Sequence, residues 1–245
     1  MRGAAEVQVV LRLVQAGLRD QIISDLTGVP RTTVRDWRRG KLATVYGQPA
    51  DDPSRIPPEP YAYLLGIYLG DGWLSAHPRD VWKLRVSCDA KYPAIIDAIA
   101  YAMSAVRGRG QAGIYPKPGR CVEVAMYWKA WPRLLPQHGP GPKWKRRIAL
   151  ADWQQAIVGQ QREAFLCGLI DSDGCRITAN YREKNGVRRQ YGRYVLSNRS
   201  EDIHRLFTDS LDALGIHWTR ANRKDTAVAR QRDVRELDRF IGFKE

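Results

Sequence analysis

Two aspartates, Asp71 and Asp173, close two apolar runs, and a glycine follows each: YLLGIYLGDG (63–72) and FLCGLIDSDG (165–174). Both runs read as buried helices, so each acid falls where its helix must stop. Helix C-termini carry partial negative charge, which makes a carboxylate there mildly unfavourable. Two such carboxylates brought together would also repel one another. Divalent cations turn that repulsion into affinity, because hard ions such as Mg²⁺ take carboxylate, carbonyl and water oxygens. Metals held in this way can activate a water and stabilise the leaving oxygen of a phosphodiester. A nearby lysine can stabilise the negative charge that builds up.

What must bring the two acids together is the spacing of small residues. Gly66 and Gly70 stand four apart, as do Gly168 and Ser172. On a helix this places both members on one face, and small residues there let two backbones approach closely. The two helices are expected to share such an interface, and Gly72 and Gly174 to stop them in left-handed turns. The likeness extends downstream. KLRVSCDAKYPAII (83–96) parallels RYVLSNRSEDI (193–203), each a strand, a polar break and a helix start. The helix at 94–106 parallels 202–214, and the strand CVEVAMYW (121–128) parallels TAVARQR (226–232), with Met126 opposite Arg230. Each half ends in a short helix, within AWPRLLPQHG or VRELDRFIGF. Repetition on this scale means two like units. In the first, Trp82, Leu84 and Val86 alternate with Lys83, Arg85 and Ser87, the period of a half-buried strand. In the second, Arg182, Lys184, Arg188, Arg189 and Arg193 crowd a hairpin around Asn185-Gly186, a strong turn dipeptide. A two-fold arrangement would give one sheet with a basic face that reads base edges and phosphates.

LLGIYLGDG (64–72) and LCGLIDSDG (166–174), in register with matching downstream elements, resemble the paired motifs of single-chain LAGLIDADG homing endonucleases. The resemblance covers roughly residues 61–245. It implies an α+β fold of two pseudo-symmetric αββαββα repeats (61–150 and 151–245) sharing a two-helix interface. It implies that Asp71 and Asp173 bind Mg²⁺ (or Mn²⁺), with backbone carbonyls of Gly70 and Ser172 available beside them. The family's essential lysine, which follows the last strand or helix of a repeat, points to Lys143 or Lys145 and to Lys244. The activity implied is hydrolysis of both strands of double-stranded DNA at a long asymmetric site, leaving 3′ overhangs, by a monomer. One departure is the motif's earlier acid, which is Leu69 in the first copy and Asp171 in the second. Some sporulation regulators of this fold have lost their acids and no longer cut, whereas both acids stand here. An RNA-processing maturase is a further use of the fold. No splicing-junction residues are seen, so the chain is read as free-standing.

Ahead of the repeats, residues 1–45 read as three helices. Val7, Val10, Leu11 and Val14 share one face; Ile22, Ile23 and Leu26 make a second; Thr27-Gly28-Val29-Pro30 is a tight break. The third helix, RTTVRDWRRG, turns Val34 and Trp37 inward and leaves Arg31, Thr32, Thr33, Arg35, Arg38 and Arg39 outside. Helix, glycine turn, basic helix is the order of a helix-turn-helix DNA reader, which this stretch resembles. A proline-rich linker follows at 46–60. The net charge of +14 in 245 residues favours a polyanionic partner. Trp128, Trp131, Trp144 and Trp153 are expected to pack the core or the seam between repeats, and Cys167 to be a small core residue. The four cysteines form no C-x-x-C pair and accompany no histidine cluster, which argues against zinc and fits a reducing cytoplasm, in association with the nucleoid. No signal peptide is read, and no apolar run is long enough to span a bilayer.

Overall fold

A computed structural model describes residues 4–39, 55–182 and 188–242. The chain divides into two compact units, Met1–Asp51 and Asp52–Glu245.

The first unit holds α1 (Ala4–Gln15), α2 (Asp20–Thr27) and α3 (Arg31–Arg38). Val10, Ile23, Val29, Val34 and Trp37 are buried together, with Leu11, Leu13, Val14 and Leu18 packed against them. Gly28 closes α2 at φ +67 with its N–H on Ser24 O, a left-handed cap that glycine adopts freely. The expected second apolar face is narrower than its sequence suggests. Ile23 alone of the three points inward, while Ile22 and Leu26 are exposed. They lie four apart on a stripe one residue round from the seam. Arg38 folds back, pairing with Asp20 at 2.7 Å and donating to Leu18 O, so it braces α3 against the start of α2.

The second unit repeats one topology. Its first half runs α4 (Pro58–Gly70), β1 (Gly72–His77), β2 (Val81–Asp89), α5 (Pro93–Arg107), β3 (Gly113–Lys117), β4 (Cys121–Trp128) and α6 (Trp131–Leu134). A short 3-10 turn (Lys143–Lys145) and α7 (Asp152–Gln160) lead into the second half. That half runs α8 (Arg162–Asp173), β5 (Gly174–Arg182), β6 (Arg188–Ser197), α9 (Glu201–Ala213), β7 (Thr219–Arg220), β8 (Asp225–Val228) and α10 (Gln231–Asp238). This is the expected αββαββα order twice over. The strands do not merge into one sheet. They form two four-stranded antiparallel sheets, ordered β1-β2-β4-β3 and β5-β6-β8-β7, so each repeat covers its own α-helices with its own sheet.

Local chemistry sets the ends of these elements. Pro58 opens α4, where a missing N–H costs nothing, so the proline-rich stretch runs into the first helical turn. Ser200 caps α9 by accepting from Ile203 N, and Glu201 and Asp202 favour its positive end. The last long strand differs between halves. β8 stops at Val228, and Arg230 is the N-cap of α10 rather than the strand residue that matches Met126.

At the centre α4 packs on α8. Leu64, Leu65, Ile67 and Leu69 are buried on one, and Phe165, Leu166, Leu169 and Ile170 on the other. Helices this apolar all round belong inside a protein. A Cβ built on Gly66 would come 2.5 Å from Phe165 O and 2.8 Å from Leu169 N. One built on Gly168 would collide with Tyr63 O. A buried polar chain ties the outer end of α4 to the inter-repeat segment. Tyr61 donates to Leu134 O (2.5 Å) and accepts from Gln154 Nε2 (2.7 Å), while Gln137 donates to Gln154 Oε1 (2.6 Å). Trp128 and Trp131 pack edge to face at 5.1 Å, and Trp153 lies 5.3 Å from the ring of Tyr61. Trp144, expected in the core or seam, is instead 40% exposed.

Overpacking against fixed backbone is the expected consequence of enlarging this interface. Gly168→Ala should lower unfolding free energy by about 2 kcal/mol, read as a shifted midpoint in urea denaturation. An unshifted midpoint would show that the helices can separate at no cost.

Candidate active site

The two central helices deliver their terminal acids to one cleft of about 400 Å³. Asp71 is the C-cap of α4, its N–H on Ile67 O at 3.0 Å, and Asp173 is the last residue of α8. Leu69, Gly70, Gly72, Trp73, Lys143, Trp144, Ser197, Asn198 and Arg199 line the cleft with them. A Cβ on Gly70 would lie 2.5 Å from Ser172 Cβ and 3.1 Å from Asp173 Cγ, so the two helix ends meet here. Gly72 and Gly174 are not left-handed. Gly174 is extended (φ −114, ψ 172), and each glycine leads directly into the first strand of its repeat. Their need for a missing Cβ is steric. A Cβ on Gly72 would come 2.5 Å from Tyr68 Cα, and one on Gly174 would come 2.7 Å from Ile170 Cα.

Lys143 reaches into this cleft from the 3-10 turn. Its ammonium donates to Gly70 O (2.8 Å) and Gly72 O (2.7 Å), the carbonyls flanking Asp71, and lies 5.0 Å from the ring of Tyr68. Burial depresses its pKa to about 8. Arg146 adds to the depression, and the charges of Asp173 and Asp71 oppose it. Lys143 thus feels both acids at once. Gly70 O keeps a second lone pair beyond the one that Lys143 uses. The Ser172 hydroxyl is spent on Gly168 O and Leu169 O within α8. Lys145 is exposed beside Trp144, at 5.1 Å from its ring. Lys244 lies outside the described residues.

The two halves are not equivalent around their acids. Asn198, just past β6, donates its side-chain amide to Asp173 and uses its oxygen to hold Ser200 N at 2.7 Å. His204 Nε2 meets Asn198 O at 2.9 Å, and its Nδ1 lies 2.9 Å from the Thr226 hydroxyl. A carbonyl can only accept, so Nε2 carries a proton, and burial, which lowers the His204 pKa, favours the neutral ring. In β2 the position registered like Asn198 is Cys88, because Gly72 pairs with Val86 as Gly174 pairs with Leu196. Burial, then the Asp71 charge, then Cys121, push the Cys88 thiol up to about 11. Asp171 takes a structural part, accepting from Tyr63 at 3.0 Å and from Cys167 at 3.6 Å.

The donors offered by the two acids and the adjoining carbonyls are all oxygen, which suits a hard divalent ion. Among the described residues no group of three or more His, Cys, Asp or Glu side chains could hold a metal. The four cysteines form no disulfide with one another. No described helix is long and apolar enough to cross a membrane.

The basic residues singled out from sequence are spread more widely. Arg31, Thr32, Arg35 and Arg39 are exposed on or beside α3, Thr33 is half-buried, and Arg38 is engaged by Asp20. Arg85 is exposed on β2, whereas Lys83 is half-buried and paired with Glu123 at 2.7 Å. Arg182 and Arg188 are the last registered pair of β5 and β6 before residues 183–187, Tyr181 pairs with Arg189, and Lys184 lies outside the described residues. Arg193 is half-buried on β6, opposite Ile177, and Arg230 is exposed. Asn198, Arg199, Trp73 and Arg146 escape a reading by motif. Asn198 and Arg199 follow a strand, and the residues that match them in the first repeat, Cys88 and Asp89, are of different chemistry; Arg146 is hidden within the run KWKRR.

No protein-family model and no curated protein matches the sequence. Solved structures do. The LAGLIDADG meganuclease I-AabMI bound to uncleaved DNA aligns over 74% of this chain and 82% of its own, at 12% identity and a TM-score of 0.48. The LAGLIDADG homing endonuclease I-SmaMI bound to cleaved DNA aligns over 75% and 83%, at 12% identity and a TM-score of 0.49. A structure of mesophilic variants of the homing endonuclease I-DmoI aligns over 76% and 96%, at 13% identity and a TM-score of 0.48.

The neutral His204 behind Asn198 carries a pH dependence. Burial lowers its pKa below the ordinary 6.5. The unfolded chain therefore binds more protons near that pH than the folded chain does, and stability falls on acidification through it. His204→Gln should flatten the loss of urea stability between roughly pH 7 and 5.5. Parallel curves for the two proteins would show that His204 is not held neutral.

Proposed function

We propose that this chain is a LAGLIDADG-type endonuclease that makes metal-dependent double-strand breaks in DNA at a long asymmetric site, acting as a monomer. The observation that carries the reading is the meeting of Asp71 and Asp173, one from each repeat, in a single cleft with Lys143 beside both. One acid at a helix end is an ordinary turn residue. Two, converging on one lysine, form a site for a polyanion and its counter-ions. The net charge of +14 fits the same partner.

Asp71 and Asp173, with the carbonyls of Gly70 and Ser172, would hold Mg²⁺ (or Mn²⁺), which when bound supplies an activated water and offsets charge on the leaving oxygen. The remaining steps belong to the chain. Asn198 fixes one carboxylate oxygen of Asp173 and so steadies that acid at the cleft. Lys143, anchored on Gly70 O and Gly72 O, holds a positive charge where a phosphodiester gains negative charge on attack. Since burial weakens its hold on a proton, it is also fit to give one up to a departing alkoxide. Arg146 sets the reach of Lys143 by gathering the carbonyls of Gln137, Gly139 and Gly141, at 3.0, 2.9 and 2.6 Å. One chain supplies both acids, so a second copy adds nothing to the chemistry. Unequal surroundings, with Asn198 beside one acid and Cys88 beside the other, suit a target whose halves differ. The three helices of the first unit, with Arg31, Arg35 and Arg39 outward on α3, serve as an additional helix-turn-helix DNA contact.

Three results test this reading. Incubation with a randomised duplex library in Mg²⁺ or Mn²⁺, with EDTA as control, should yield breaks at one defined site. Asp71→Asn and Asp173→Asn should each slow cutting at least ~100-fold while duplex binding persists. Cutting at the wild-type rate by either variant would remove the metal assignment, and tight binding without any cut by the wild type would leave a non-cleaving regulator. Deleting residues 1–45 should weaken duplex binding and leave a cooperative unfolding transition for the remainder. Loss of that transition would show that the helices complete a common core.

A further inference from the structure

The loop that carries Lys143 also reaches the other half of the cleft. Arg146 pins residues 137–141 from within, Lys143 turns inward, and Trp144 turns out to 40% exposure. The guanidinium of Arg199, from the second repeat, lies 4.2 Å from the centre of the Trp144 ring. Lys145 approaches the same ring at 5.1 Å. A planar guanidinium laid on an indole keeps its N–H edges free, and those edges match the oxygens of a phosphate. Among the described residues no carboxylate pairs with Arg199, although it is exposed and lines the cleft that holds both acids.

Both partners of the stack sit on fixed backbone. On the Arg199 side, Asn198 N donates to Lys224 O (2.9 Å), His204 holds Asn198 O, and Ser200 N is held by the Asn198 side chain. The first repeat has no like arrangement. The register that matches Cys88 with Asn198 matches Asp89 with Arg199, and Asp89 pairs with Lys91 at 3.5 Å.

We propose that Arg199, held on Trp144, is a seat for a backbone phosphate of duplex DNA on the Asp173 side of the cleft, and that it acts on one of the two strands. This rests on the endonuclease reading above. Arg199 would touch the substrate. Trp144 is a positioning residue that links a loop of the first repeat to a contact made by the second. Asp89 in the matching position of the first repeat repels a phosphate where Arg199 attracts one.

Two measurements test the seat. The first is binding to a short duplex of arbitrary sequence across a salt series. Each lost phosphate contact lowers the slope of log K against log salt by about 1. Arg199→Ala should show that drop and bind roughly tenfold more weakly at low salt. Arg199→Lys should keep the slope, since the charge remains, and still bind several-fold more weakly for want of the planar fork. Trp144→Ala should weaken binding with the slope kept, and Trp144→Phe should restore it. The second is cleavage of supercoiled plasmid carrying the target found in the library screen, where Arg199→Ala should accumulate nicked circles because one strand is slowed more than the other. An unchanged slope together with equal slowing of both strands in Arg199→Ala overturns the seat. A wild-type protein with no salt-sensitive duplex binding overturns the endonuclease reading itself, and the two failures are told apart by the wild-type arm.

Discussion

Residues 55–242 are organised around how closely α4 and α8 approach. Their contact is made between backbones, at Gly66 against Phe165 O and Leu169 N and at Gly168 against Tyr63 O. Nothing larger than hydrogen fits at these points, so the separation of the helices is fixed by main-chain atoms that cannot repack. That rigidity carries to the ends of both helices, where Gly70 meets Ser172 and Asp173. Two carboxylates are thereby held at one place, against their mutual repulsion and against the partial negative charge of two helix C-termini. Packing of the apolar flanks, Leu64, Leu65, Phe165 and Leu166 among them, is what sustains that electrostatic cost.

The surroundings of the acids distribute the work unequally. Lys143 is drawn to the carbonyls on either side of Asp71 and is influenced by both acids, so one cation stands in the middle of a site built from two halves. Asp173 is steadied by Asn198, which His204 and Thr226 support from the buried side of β6 and β8. Asp71 faces Cys88, whose thiol stays protonated and neutral because burial and the nearby carboxylate both oppose a thiolate. A duplicated fold thus holds a site that is symmetric in its acids and asymmetric in their neighbours, with Asn198 beside Asp173 and Cys88 near Asp71.

The sheets show the same divergence. β4 spans Cys121–Trp128, while β8 stops at Val228 and gives way to α10. Arg176, from the inner face of β5, is committed to Asp238 of α10 at 2.7 and 3.0 Å, with Tyr194 donating to the same carboxylate. On the first sheet Lys83 is turned to Glu123 instead of outward. A count of basic residues along the strands therefore overstates the charge that each sheet presents.

The sequence by itself determined the repeat, the order of elements in each half, the glycine spacing on the central helices and the identity of the two acids. These are local or periodic properties: small residues four apart and alternation along β2 are written in neighbouring residues. Tertiary structure alone decided the rest. Whether Gly72 and Gly174 take a left-handed turn depends on what their missing Cβ atoms would strike, and those atoms belong to Tyr68 and Ile170 one helical turn back, on a path that leads straight into a strand. Which lysine reaches the acids depends on the loop that Arg146 folds, with Lys143 inward and Lys145 outward from one and the same 3-10 turn. Asn198, Arg199 and Trp144 come together from segments far apart in the chain, and no spacing within one segment encodes a meeting between two.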